Sequence, residues 1–241
     1  EVELSSGLSA FEAKHFSRAM QLLSPLADSG NTEAQHRCAI MYQNGLGNKA
    51  NPLLAFKWMK AAAESGHALA QHGLGFMYME GDCAEKNGDA AVLWYTKAAN
   101  QGDDRAQKSL GDIYFDGRLI NKNYPLALDW YTKAANSDNE SAYLQLGKLY
   151  ESATSDIRNE ETAIFWYRKA AAADISIANF HAETLLRKRC MMTAQAKLFD
   201  LYIRCVKRDE FARKISDNGG TVNFSDSHEN LDVYQNVKIL G

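Results

Sequence analysis

The chain has 241 residues, a formal net charge of −3 and 24% charged residues. That balance gives no general attraction to nucleic acid or to anionic lipid. No apolar run approaches the roughly 18–20 residues that cross a bilayer.

In chain order, residues 5 to 28 predict a first helix pair with a tight turn, its apolar side marked by Gly7, Phe11, Ala19, Leu23 and Leu26. Residues 1–30 are therefore read as an N-terminal capping pair. From there the sequence repeats with a step of 36: Trp58, Trp94, Trp130 and Trp166 are all the tryptophans of the chain, and Tyr42, Tyr78, Tyr114 and Tyr150 keep the same step. So do Ala34, Ala70, Ala106 and Ala142, and again Ala55, Ala91, Ala127 and Ala163. A period of this length signals a solenoid or an array. Within a unit, Ala70, Leu74, Met77 and Tyr78, then Ala91, Trp94, Tyr95 and Ala98, recur at helical spacing, so each unit reads as two helices. Gly45, Gly81 and Gly117 stand where the first helix needs a left-handed cap. Asn51, Asn87, Asn123 and Asn159 stand where the second helix needs an N-cap. The units fall at about 31–66, 67–102, 103–138 and 139–174. In the fourth, Ala153 replaces the turn glycine, which predicts looser geometry. One helix pair cannot bury its Trp, Tyr and aliphatic side chains alone, so the pairs must stack. Gly75, Gly111 and Gly147, with Ala39 in the first unit, mark a contact too close for a larger side chain.

Residues 175–210 read as a degenerate fifth unit acting as C-terminal cap, with Ala178 and Tyr202 in phase and a turn at Arg187–Cys190. The remaining residues, 211–241, alternate apolar and polar groups around Asn223, Phe224 and Val233, which predicts an extended or hairpin tail. The cysteines show no metal-type spacing. Cys38 takes a core position held by Leu in the other units, and a Cys190–Cys205 bridge is conceivable across the last helix pair. The first residue is Glu1, so a removed secretory signal and a trimmed sequence both remain open; the expected compartment is periplasmic or secreted, with the cytoplasm as the alternative.

The residues Ala70, Leu74, Gly75, Tyr78, Gly81, Ala91, Trp94, Tyr95, Ala98, Ala99 and Gly102 resemble the Sel-one-like repeat family, a relative of tetratricopeptide repeats. The resemblance runs from about Asn31 to Asp174. It implies an all-α fold, a right-handed superhelix of antiparallel helix pairs, working as a protein-binding scaffold.

If the resemblance holds, the side of each first helix opposite its core face lines a concave surface. Ile40, Phe76, Asp112 and Lys148 share one position there, His36, His72, Lys108 and Leu144 lie a turn earlier, and Gln43, Met79, Phe115 and Glu151 a turn later. The expected partner-binding set is Ile40, Phe76, Met79 and Phe115 as an apolar strip, with His36, His72, Lys108 and Asp112 around it. Large apolar groups at such places are an interface signature, although they could instead pack under the turns or the tail. No phosphate loop, catalytic triad motif or metal-ligand spacing stands out, so neither enzymatic activity nor a cofactor or metal is expected. The partner expected is another protein, such as a toxin or an envelope protein, held by an adaptor, inhibitor or immunity protein. The alternative is an envelope factor that binds peptidoglycan or another glycan and regulates an associated enzyme.

Overall fold

The computed structural model describes residues 2–153 and 156–217. Among them there are eleven helices: α1 (Val2–Glu12), α2 (Phe16–Asp28), α3 (Thr32–Asn44), α4 (Pro52–Glu64), α5 (Ala68–Glu80), α6 (Gly88–Asn100), α7 (Asp104–Asp116), α8 (Tyr124–Asn136), α9 (Glu140–Ser152), α10 (Glu160–Ala172) and α11 (Ser176–Asp217). The fold is all-α. The chain divides into two units, Glu1–Leu186 and Arg187–Gly241.

In the first unit, from α1 to α10, each helix packs on its neighbour along the chain. The punctuation read from the sequence does its expected work. Gly81 and Gly117 close α5 and α7 in the left-handed region, at φ 73° and 66°. Asn51, Asn87, Asn123 and Asn159 accept a hydrogen bond from the backbone N–H three residues on. Their own N–H groups reach back across the turn to the carbonyls of Tyr42, Tyr78, Tyr114 and Tyr150 at 2.8–2.9 Å. The last of these bonds survives in the fourth unit, where Ala153 is extended at φ −68°, ψ 175° instead of left-handed.

The close contact at Gly75, Gly111 and Gly147 is with an aromatic ring. A Cβ at these positions would lie 2.9, 2.3 and 2.5 Å from the rings of Tyr95, Tyr131 and Tyr167. Those tyrosines are the most deeply buried aromatic groups, at 2%, 0% and 0% exposure. Burial pushes the phenol of Tyr131 far above its ordinary pKa, and the adjacent Asp112, which accepts its hydrogen bond, adds to the effect. The first unit has Ala39 and Met59 at the same two places, so a thinner, flexible side chain accompanies the larger small residue. The tryptophans lie further out: Trp94 is buried at 9% and the other three are half-buried. Lysine amines lie over all four indoles, at 4.5 Å for Lys57, 3.9 Å for Lys97, 4.1 Å for Lys133 and 5.4 Å for Lys169.

Junctions between units use a buried glutamine. Gln35, Gln71 and Gln107 donate from Nε2 to the carbonyls of Ala27, Ala63 and Ala99, at 3.1, 3.1 and 3.2 Å. Each adds a second hydrogen bond to a carbonyl near the end of the preceding helix, which also accepts the N–H of Gly30, Gly66 or Gly102 just beyond it.

The end of the repeat region departs from the sequence reading. No turn forms at Arg187–Cys190: α11 runs through it without a break, since no Gly or Pro stands between Ser176 and Asp217. Residues 211–217, expected in the tail, belong to the same helix. The strand-like stretch at 218–241 lies outside the described residues. A Cys190–Cys205 bridge is overturned by the same helix: Cys190 is a free thiol. Fifteen residues of helix also separate the two backbone positions by about 22 Å, against the roughly 7 Å limit for a disulfide. Cys38 is buried as core filler, and burial pushes its thiol up to about 11.

Candidate functional site

The first helices of units one to three, α3, α5 and α7, present the candidate surface. The N-termini of α3, α5, α7 and α9 are set by side chains at one repeat position, each accepting the backbone N–H three residues on: Asn31, His67, Asp103 and Asn139. This fixes the rotation of each helix, and with it which side chains face outward.

Between α3 and α5 lies a pocket of about 330 Å³, lined by residues of α3, α4, α5 and α7. Its floor is apolar, made by Ile40, Met59, Leu69 and Phe76, and Phe76 is 44% exposed. His36, Arg37, His72 and Arg105 stand around it. At one end Gln43 donates to Asp82, tying α3 to the turn after α5.

Four of the eight residues expected from the sequence meet at this pocket: Ile40, Phe76, His36 and His72. His36 is more buried than a rim residue, at 6% exposure, and its Nδ1 has no hydrogen-bond partner. Burial, with the nearby charges of His67 and Arg37, pushes it down to about 4. The other four sit elsewhere. Met79 packs half-buried against the core around Ala91 and Tyr95. Phe115 packs on Tyr124 and Tyr131, with ring centroids 5.7 and 6.5 Å away. Lys108 and Asp112 form an ion pair at 2.6 Å within α7. The apolar strip across three units is thus a compact pocket at one junction.

Arg37, Gln43, Met59, Leu69, Gly73 and Arg105 complete the lining; of these the sequence places only Gln43 on this face, at the position of Met79 and Phe115. A signal was present at Gly73, which stands where the other units carry Arg37, Ser109 and Gln145. A Cβ there would lie 2.7 Å from the Met59 sulfur, so the missing side chain keeps the floor open. Leu69 is likewise apolar at a position that is Glu33, Arg105 and Ser141 in the other units.

Beside the pocket, donor atoms of Glu33, His36 and His67 lie within 4.8 Å of one another. Two of its members, Glu33 and His67, already have their hydrogen bonds committed, while His36 Nδ1 has no partner. His67 accepts the Ala70 N–H at Nδ1 and faces Glu33 with Nε2 at 2.7 Å. The Glu33 carboxylate is shared with Arg37. Burial would raise the Glu33 pKa, but the His67 hydrogen bond and the Arg37 charge outweigh it and hold the carboxyl below its ordinary value. An ion on His67 Nε2 would need a proton at Nδ1 and would therefore undo the cap of α5.

The Sel1 repeat profile matches residues 32–67, 68–103, 104–139 and 140–175, more than half of the chain. No curated protein matches significantly. Among solved structures, the chain is similar to a protective antigen present in uropathogenic Escherichia coli strains, which displays an SLR fold. The identity is 34% and the TM-score 0.70, over 75% of this chain and 39% of the antigen, so the chain spans about two fifths of that protein's length. A Sel1 repeat protein from Oxalobacter formigenes is 28% identical with a TM-score of 0.68, covering 74% of this chain and 73% of that one. A putative Sel1 repeat protein from Klebsiella pneumoniae shares the fold at 16% identity and a TM-score of 0.50, over 76% of this chain and 91% of that one. The 36-residue phase, the helix pairs and the matched profile agree: this chain belongs to the Sel1 repeat family, whose helical arrays are scaffolds typical of protein–protein interaction.

Proposed function

We propose that the chain works by holding a partner protein at the pocket between α3 and α5, in the manner of an adaptor, an inhibitor or an immunity protein. The observation that carries this reading is Phe76: a large aromatic group in the apolar lining, 44% exposed, on a helix. Leaving such a group in water is unfavourable, and burying it under a partner recovers about 25 cal/mol for each Å² of apolar surface removed from water. Interface energy concentrates in a few such aromatic anchors. The surrounding helices are fixed by caps and by the Tyr–Gly contacts, so little ordering accompanies binding.

The test compares the wild-type chain with Phe76→Ala in two measurements, affinity for the partner recovered from native extract and thermal melting. The expected result is a loss of at least about 2 kcal/mol in affinity with little change in melting. A large melting shift with unchanged affinity would show that Phe76 belongs to the core and would sink the reading.

A further inference from the structure

The charged side chains that line the pocket between α3 and α5 are of one sign. They are Arg37 and Arg105; the carboxylate of Asp82, outside the lining, is held by Gln43 Nε2. The acids closest to these cations are held in place by other bonds. Glu33 gives one oxygen to Arg37 Nε and the other to His67 Nε2, both at 2.7 Å. Asp103 caps α7 through Oδ1, 2.7 Å from the Ala106 N–H, and its side chain is only 6% exposed. Arg105, 3.3 Å from the other oxygen of Asp103, is 59% exposed. Its charge therefore reaches solvent while that of its acid does not.

The two imidazoles do not change this sign. Burial pushes both His36 and His72 down, leaving them as neutral polar walls near pH 7. What remains is an apolar lining, the exposed guanidinium of Arg105 beside the Glu33-paired one of Arg37, and room for a few side chains. An occupant must bring an apolar group to the floor and negative charge to the rim. A basic segment would meet the exposed guanidinium of Arg105 with like charge, an arrangement that disfavours a wrong partner.

We infer that the pocket takes an extended segment of the partner protein in which a large apolar side chain stands within two residues of Asp or Glu. This rests on the binding-scaffold reading and names the chemistry of what is bound. The guanidinium fork of Arg105 suits a carboxylate in two-point contact, and Phe76 with Met59 and Leu69 receives the apolar side chain.

The test is a selection of random dodecapeptides displayed on phage against the full chain, with Phe76→Ala used to remove peptides that bind elsewhere. Selected peptides are then synthesised with blocked ends and titrated against the wild type, Arg105→Glu and Arg105→Gln. The expected result is enrichment of Asp or Glu next to Leu, Ile, Met or Phe. Affinity should fall at least tenfold for Arg105→Glu and less for Arg105→Gln, and amidating the peptide's carboxylates should produce a matching loss. Neutral or basic consensus peptides, no enriched peptide, or acidic peptides indifferent to Arg105→Glu would each overturn the inference. Arg105 is exposed, so circular dichroism and melting should be unchanged in both variants. The scaffold reading is judged separately: if Phe76→Ala still loses the native partner while the selected peptides are not acidic, the scaffold stands and the acidic-segment inference falls.

Discussion

The Tyr–Gly contact shows how one missing side chain fixes a helix pair. A Cβ at Gly111 would meet the Tyr131 ring at 2.3 Å, and the ring cannot retreat, being fully buried with its hydroxyl on Asp112 at 2.8 Å. Gly111→Ala should destabilise by about 1–3 kcal/mol through overpacking, despite the gain in helix propensity. Gly73→Ala is the control, since its Cβ meets only the flexible end of Met59. There the propensity gain of up to about 1 kcal/mol should leave stability unchanged or raised in urea titrations. His36 gives a second residue-scale prediction. Its folded value of about 4, against an ordinary 6.5, means that the unfolded chain binds the proton first as pH falls. Stability held above pH 6.5 is then lost progressively towards pH 4. His36→Leu, the residue found at the equivalent Leu144, removes that group, so the fall in melting temperature between pH 7 and 4.5 should be smaller than in the wild type.

At the scale of elements, the helix pairs, their caps and their order were legible in the sequence, because Gly, Asn and Ala recur at one phase. What periodicity could not separate was Trp from the Tyr beside it. Adjacent positions on a helix are only about 100° apart, and both are apolar, yet Tyr95, Tyr131 and Tyr167 point into the core while three of the four tryptophans stay half-exposed. The buried glutamines were missed for a related reason: a polar residue next to a core alanine reads as surface until its partner carbonyl is seen. Half of the candidate site was legible, since Ile40 and Phe76 share a repeat position with His36 and His72 one turn away. Met79 and Phe115 stand three residues on from Phe76 and Asp112, short of a full turn, and there they pack towards the second helix of their units. Trp94 is the exception among the tryptophans, buried against the core of the preceding unit. Trp94→Ala should lower stability by about 3–5 kcal/mol. Because repeats are coupled to their neighbours, hydrogen exchange should accelerate most in α5 to α8. Uniform acceleration along the chain would contradict local coupling.

At the scale of the molecule, the first unit keeps its own core to the end, with Ala182 at 2% and Leu185 at 4% exposure. Removing residues 187–241 should therefore shift its melting temperature by less than about 4 °C, equivalent to roughly 1 kcal/mol at this size. A larger fall would show that the repeats depend on the residues C-terminal to them. The glutamine ties carry a different consequence. Gln71 reaches the carbonyl of Ala63, and Gln107 that of Ala99, by the same bond eight residues back. His67 and Asp103 cap the next helix in the same way. If residues 68–103 were cut out, His67 would cap the helix that begins at Asp104, and Gln107 would find the carbonyl of Ala63 where it now finds that of Ala99. The cap bond and the glutamine bond at the splice would each have a partner, although Arg105 would lose Asp103 and Gln43 would lose Asp82. Such arrays can lengthen or shorten by whole units during gene recombination without passing through an unfolded ancestor, although losing this one unit would take His72, Gly73 and Phe76 with it.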